Sequence, residues 1–93
     1  MSTLPNILLV EDTLPLAVLY QDYLRDEEVQ VHHVSGGQDA LSYLQEHNAQ
    51  IVLLDMQLPD MDGMEILKYI KENDINSTVV VITAHGSVER AVE

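Results

Sequence analysis

Ile51-Val52-Leu53-Leu54-Asp55 sets four apolar residues in a row and ends on a carboxylate. With no polar residue alternating among them, these four read as a strand covered on both faces, not as one side of a solvated sheet. The same continuous pattern occurs at Asn6-Ile7-Leu8-Leu9-Val10 and at residues 78–82. Residues 29–34, rich in β-branched side chains after a charged turn, form a further strand. Between the strands the period changes. Residues 14–25 repeat at helical spacing, with Leu16, Leu19, Tyr20, Tyr23 and Leu24 on one face, and Pro15 falls in the first turn, where its missing N–H costs nothing. Ser35-Gly36-Gly37-Gln38 fits a capping box for a second helix with Ala40, Leu41 and Leu44 inward, ending near His47-Asn48. Asp62-Gly63 opens a third, with Ile66, Leu67 and Ile70 inward and Lys68, Lys71 and Glu72 outward. Ser87 is placed to cap a last helix starting at Val88.

The order is βαβαβαβ followed by a helix start. Strands alternating with helices, each strand apolar throughout, define an α/β fold: a doubly wound parallel sheet with helices on both faces. Such sheets place their chemistry beyond the carboxyl ends of the strands, where the strand order switches. Glu11 and Asp12 follow strand one, Asp55 ends strand three and Thr83 follows strand four, while Ser35 and Gly36 after strand two read as helix capping.

The length, 93 residues, suits one small domain, which buries only about 60–65% of the surface its unfolded chain exposes. The chain contains no cysteine, so disulfides and thiolate metal sites are excluded. No apolar run approaches the ~20 residues needed to span a bilayer, and the first six residues lack the basic start and apolar stretch of a secretion signal. A cytoplasmic, soluble domain is expected. Sixteen acids face four bases (Arg25, Lys68, Lys71 and Arg90), a net charge of −12. Four scattered bases cannot build a nucleic-acid face. The acid excess accords with metal binding or a basic protein partner, although a plain acidic surface explains most of these charges.

The three carboxylates at the sheet edge need a physical account. Two unit charges about 5 Å apart repel by roughly 3 kcal/mol at an effective dielectric of 20. Three carboxylates in one shallow cleft therefore hold protons or recruit a cation. Oxygen donors, few and open to water, suit Mg²⁺, which keeps several waters and accepts a phosphate oxygen. A single Asp at a strand end also serves as a turn former or helix cap, and Thr83 alone is simply a β-former. Glu11 and Asp12 at one strand end, with Asp55 at another, make coincident caps the harder reading.

Other sites fail on their residues. The first strand-to-helix turn, Val10-Glu11-Asp12-Thr13-Leu14-Pro15, lacks the glycines of a dinucleotide fold. A calcium loop aligned on Asp60, Asp62 and Gly63 would run from Leu58 to Tyr69, neither of which supplies a carboxylate. His32 and His33 are neighbours on a strand and point to opposite faces. His47 ends a helix, where partial positive charge is favourable without any function.

The stretches Ile7-Leu8-Leu9-Val10-Glu11-Asp12, Leu53-Leu54-Asp55-Met56-Gln57-Leu58-Pro59-Asp60-Met61-Asp62-Gly63 and Val81-Ile82-Thr83-Ala84-His85-Gly86-Ser87 resemble the receiver domains of bacterial response regulators. The resemblance runs over the whole chain. From Thr83 to the last residue it is similar to the nitrogen-regulation branch, whose members join the receiver to a sigma-54-activating ATPase and a DNA-binding domain, and within it to quorum-sensing regulators. It implies a flavodoxin-like sheet in the order 2-1-3-4-5, with Asp55 as phosphate acceptor. It implies a Mg²⁺ site in which Asp12 is a direct ligand, Glu11 holds metal-bound water and Gln57 offers its backbone carbonyl. Thr83 corresponds to the switch hydroxyl that turns toward the phosphate, and Ala84 to the small neighbour that leaves it room. Pro59 and Gly63 match the loop after the acceptor strand, as residues of shape. The implied partners are a histidine kinase or histidine phosphotransfer protein, and a C-terminal effector.

The family's fifth strand carries a lysine that pairs with the phosphoryl group, and a last helix follows it. The sequence stops before both, and Lys68 and Lys71, on the outer face of a helix, do not replace that lysine. Residues 1–93 are therefore expected to form a C-terminally truncated receiver. Its fourth strand should have an unpaired edge, its first helix should bear uncovered apolar residues, and it should self-associate through that edge or be marginally stable. No direct nucleic-acid or membrane binding is expected. Two other readings stay open. An aspartate-nucleophile phosphatase also puts an Asp after an apolar strand, but it wants a second Asp two residues on, where this chain has Gln57. A phosphate-blind docking domain would be expected to have lost one acid of the cluster.

Overall fold

The computed structural model of the chain describes residues 4–82 and the backbone of residues 88–90. Strands β1 (Asn6–Val10), β2 (Gln30–Val34), β3 (Ile51–Asp55) and β4 (Thr78–Ile82) alternate with helices α1 (Leu14–Leu24), α2 (Gly37–Glu46) and α3 (Gly63–Glu72). The four strands are parallel in the order β2-β1-β3-β4, as the resemblance implies. Leu8, Val10, Val52 and Leu54 point to one face, where Ala40 and Leu44 of α2 and Ile66 and Ile70 of α3 close the main core. Leu9 and Ile82 point to the other face, where Ala17 of α1 meets them. Burial on both faces is what the unalternating apolar runs require.

Four local expectations give way to tertiary contacts. The edge of β4 is not unpaired: β5 (Val88–Arg90) lies antiparallel against it, with Val81 opposite Glu89. Val88 therefore starts a strand, not a helix, and Ser87, its expected cap, lies outside the described residues. A cap is worth about 1 kcal/mol, whereas an open edge leaves a row of unpaired N–H and C=O groups that any nearby extended segment can satisfy.

The capping box at Ser35 also does not form. The N-cap of α2 is Gly36, without a side-chain cap of its own, and the open N–H groups bond to Asp60 from the loop after β3. Finally, α1 turns a different face inward. Ala17 is fully buried and Tyr20 and Leu24 are half-buried, whereas Leu16, Leu19 and Tyr23 are exposed. Close approach of a helix to a sheet favours the smallest side chain at the contact, and Ala17 is that residue. The expected uncovered apolar surface is present, with Leu14 65% and Tyr23 69% exposed.

Candidate functional site

Strand register builds the site. Val10 pairs with Leu54, so the next residues, Glu11 and Asp55, come side by side at the carboxyl edge. Asp12 follows Glu11 at the turn into α1. The three side chains each offer a carboxylate oxygen within 4.8 Å of the others. Among the described residues this is the one group of three acidic or imidazole side chains close enough to share an ion. Glu11 is 1% exposed, Asp55 half-buried and Asp12 exposed, so the cluster has a floor, a wall and an open rim.

Backbone donors fix the acids in place. Glu11 Oε2 accepts from Thr13 N–H at 3.1 Å, and Asp55 Oδ1 accepts from Gln57 N–H at 3.0 Å. Burial pushes the Glu11 carboxyl above its ordinary range; the Thr13 N–H draws it back, while Asp55, by charge and a shared hydrogen bond, and Asp12 push it further up. A buried acid crowded by two others holds a proton or calls for a cation. Oxygen donors with neither thiolate nor imidazole among them fit a hard divalent ion better than zinc or copper.

Glu11, Asp12 and Asp55 are therefore gathered as the sequence predicts, and Gln57 is tied directly to Asp55. Pro59 is exposed on the same loop, and Gly63 is buried where that loop meets α3. A β-carbon at Gly63 would lie 2.8 Å from Met56 Cα, and the Gly63 N–H donates to the Met56 carbonyl at 3.1 Å, so any larger residue would force the loop backbone to shift. Thr83, Ala84 and His85 lie outside the described residues.

Two neighbours escape sequence reasoning. His33 Nε2 donates to the Glu11 carbonyl at 2.8 Å, steadying the turn that carries the acids. Its neighbour His32 does point the other way, stacking on Tyr43 at 4.4 Å between ring centroids. The Tyr20 hydroxyl is pushed up by burial and then by the charges of Glu11 and Asp55, which places it within the field of the cluster. Period-two alternation assigns His33 a face, but only the parallel register with β1 brings it to Glu11.

A doubly wound parallel sheet with an acidic cluster at its carboxyl edge, one acid ending the third strand, is the arrangement of a signal receiver. The chain belongs to the response regulator receiver domain family, whose model matches residues 7–93. It is 40% identical over 85 residues to the regulatory protein LuxO of Vibrio cholerae, covering 91% of this chain and 19% of that protein. It is 36% identical over 88 residues to sporulation initiation phosphotransferase F of Bacillus subtilis, covering 95% of this chain and 71% of that one. In structure it is similar to the signal receiver domain of a LuxO repressor protein from Vibrio parahaemolyticus, with TM-score 0.86 and 44% identity, covering 91% of this chain and 65% of that one. The chain thus spans about a fifth of the length of the LuxO protein it matches. No helix among the described residues is long and apolar enough to cross a membrane.

Proposed function

We propose that Asp55 accepts a phosphoryl group from a phosphohistidine on a histidine kinase or histidine phosphotransfer protein. The chain, residues 1–93, acts as receiver for a longer cytoplasmic regulator, with a sigma-54-activating, quorum-sensing type of effector. The observation that carries this reading is the convergence of Glu11, Asp12 and Asp55 within 4.8 Å around a half-exposed Asp55.

Asp12, Asp55 and the Gln57 carbonyl would hold Mg²⁺, with Glu11 behind them. When bound, the ion cancels charge as it builds on the phosphoryl oxygens. An Asp55 oxygen attacks phosphorus in line, the P–N bond to the donor imidazole breaks, and the electron pair returns to that ring as the acyl phosphate forms. The Gln57 N–H on Oδ1 holds the Asp55 carboxylate in one orientation during attack. Thr83 then turns toward the phosphate, with Ala84 leaving it room, and carries the change to the effector. With Gln57 two residues past Asp55, no acid stands there to donate a proton for turnover, so the module is an acceptor and not a hydrolytic enzyme.

Mass measurement of the chain after incubation with Mg²⁺ and a small phosphodonor tests this directly. A stable gain of one phosphate is expected, absent in Asp55→Asn. Rapid release of free phosphate would identify a phosphatase instead, and an unchanged mass would leave a docking domain.

A further inference from the structure

The loop between β3 and α3 is fastened to α2 by a carboxylate outside the acidic cluster. Asp60 Oδ1 accepts from Gly37 N–H at 2.8 Å and Oδ2 from Gln38 N–H at 2.9 Å. One side chain thus satisfies two of the open donors at the start of the helix, across 22 and 23 residues of sequence. Those two N–H groups, that of Gln38 first, hold the Asp60 carboxyl below the ordinary range.

The opposing surface is shaped to receive the loop. A β-carbon at Gly36 would lie 3.3 Å from Asp60 Oδ2, and one at Gly37 would collide with the Met61 side chain. Gln57 therefore rides on a loop held at three points. Its own N–H binds Asp55, a bridge joins it to Asp62, and Asp60 grips α2. A helix that needed only a cap had Ser35 and Gly36 at hand; the clasp ties it to the acceptor loop as well.

We propose that Asp60 is a positioning residue for the cation site, its clasp on α2 fixing the loop that presents the Gln57 carbonyl. This inference rests on the phosphoacceptor reading. Loss of a partner that orients a ligand typically weakens metal affinity by about ten-fold or more.

The test is a titration of the chain with Mg²⁺ alone, followed by amide NMR, in the parent and three variants. Asp60→Ala should bind Mg²⁺ about ten-fold more weakly, with faster hydrogen exchange at Gly37 and Gln38. Gly36→Ser/Asp60→Ala restores a local cap: the backbone at Gly36 (φ −147°, ψ 166°) suits serine, and the atoms its β-carbon would press on belong to Asp60. This double variant should regain the lost thermal stability and keep the weakened Mg²⁺ affinity. Asp60→Asn removes the same charge but keeps one acceptor, so its affinity should fall between the parent and Asp60→Ala.

The proposal is overturned if Asp60→Ala binds as tightly as the parent, or if the double variant recovers affinity together with stability. Equal losses in Asp60→Asn and Asp60→Ala would overturn it too, by exposing a simple charge effect, and this comparison holds whatever the double variant does. A parent showing no Mg²⁺ response at Asp12 and Gln57 would sink the acceptor reading beneath it, an outcome distinct from the others.

Discussion

Glu11 is the residue under most tension, a carboxyl 1% exposed beside two other acids. Burial, with Asp55 and Asp12, raises its folded-state pKa above the ordinary value. Between those two values the folded chain keeps a proton that the unfolded chain has lost. Its stabilising contribution is therefore complete below the ordinary value and disappears as pH rises through the folded one. Glu11→Gln should consequently melt higher than the parent at neutral pH without divalent cation, and gain less on adding Mg²⁺; thermal melts with and without the ion check both. Gly63 is constrained by contact with backbone. Gly63→Ala would drive a β-carbon to 2.8 Å from Met56 Cα, and should cost about 1–3 kcal/mol in urea unfolding, as overpacking does.

Among the elements, α1 shows most plainly how packing overrides pattern. Its apolar residues cover more than one stripe, and spacing alone favours the stripe of large side chains. The sheet takes Ala17 instead, with Leu9 and Ile82 against it. Ala17→Leu should therefore destabilise the chain by about 1–3 kcal/mol, whereas Leu19→Ser, at a position 41% exposed, should change stability by no more than about 0.5 kcal/mol. Chemical denaturation of the two variants separates these outcomes. In α2 and α3 the inward sets Ala40, Leu44, Ile66 and Ile70 match their periodicity, because a single apolar stripe leaves the helix no choice.

For the molecule as a whole, the charge of −12 is the governing quantity. Like charges repel across the surface, and raising monovalent salt from about 0.01 to 0.15 M shortens their reach from about 30 to 8 Å. The melting temperature should rise with it. Mg²⁺ at matched ionic strength should add a further, saturable rise, worth about 2.7 kcal/mol at a hundredfold excess over Kd. Asp12→Asn should keep the first effect and lose most of the second. Calorimetry across the two titrations distinguishes general screening from occupancy of the cluster.

The order of strands and helices from β1 to β4 was legible in the chain because it is written in local periods, and three acids at strand ends could be found by knowing where parallel sheets put their chemistry. Folding alone decided that Asp60 rather than Ser35 caps α2, that His33 steadies Glu11, that α1 turns Ala17 inward and that residues 88–90 pair with β4. Each of these joins groups distant in sequence or chooses between faces of similar local merit. Their energies come from desolvated partners and steric fit, quantities that exist only once the chain has closed on itself.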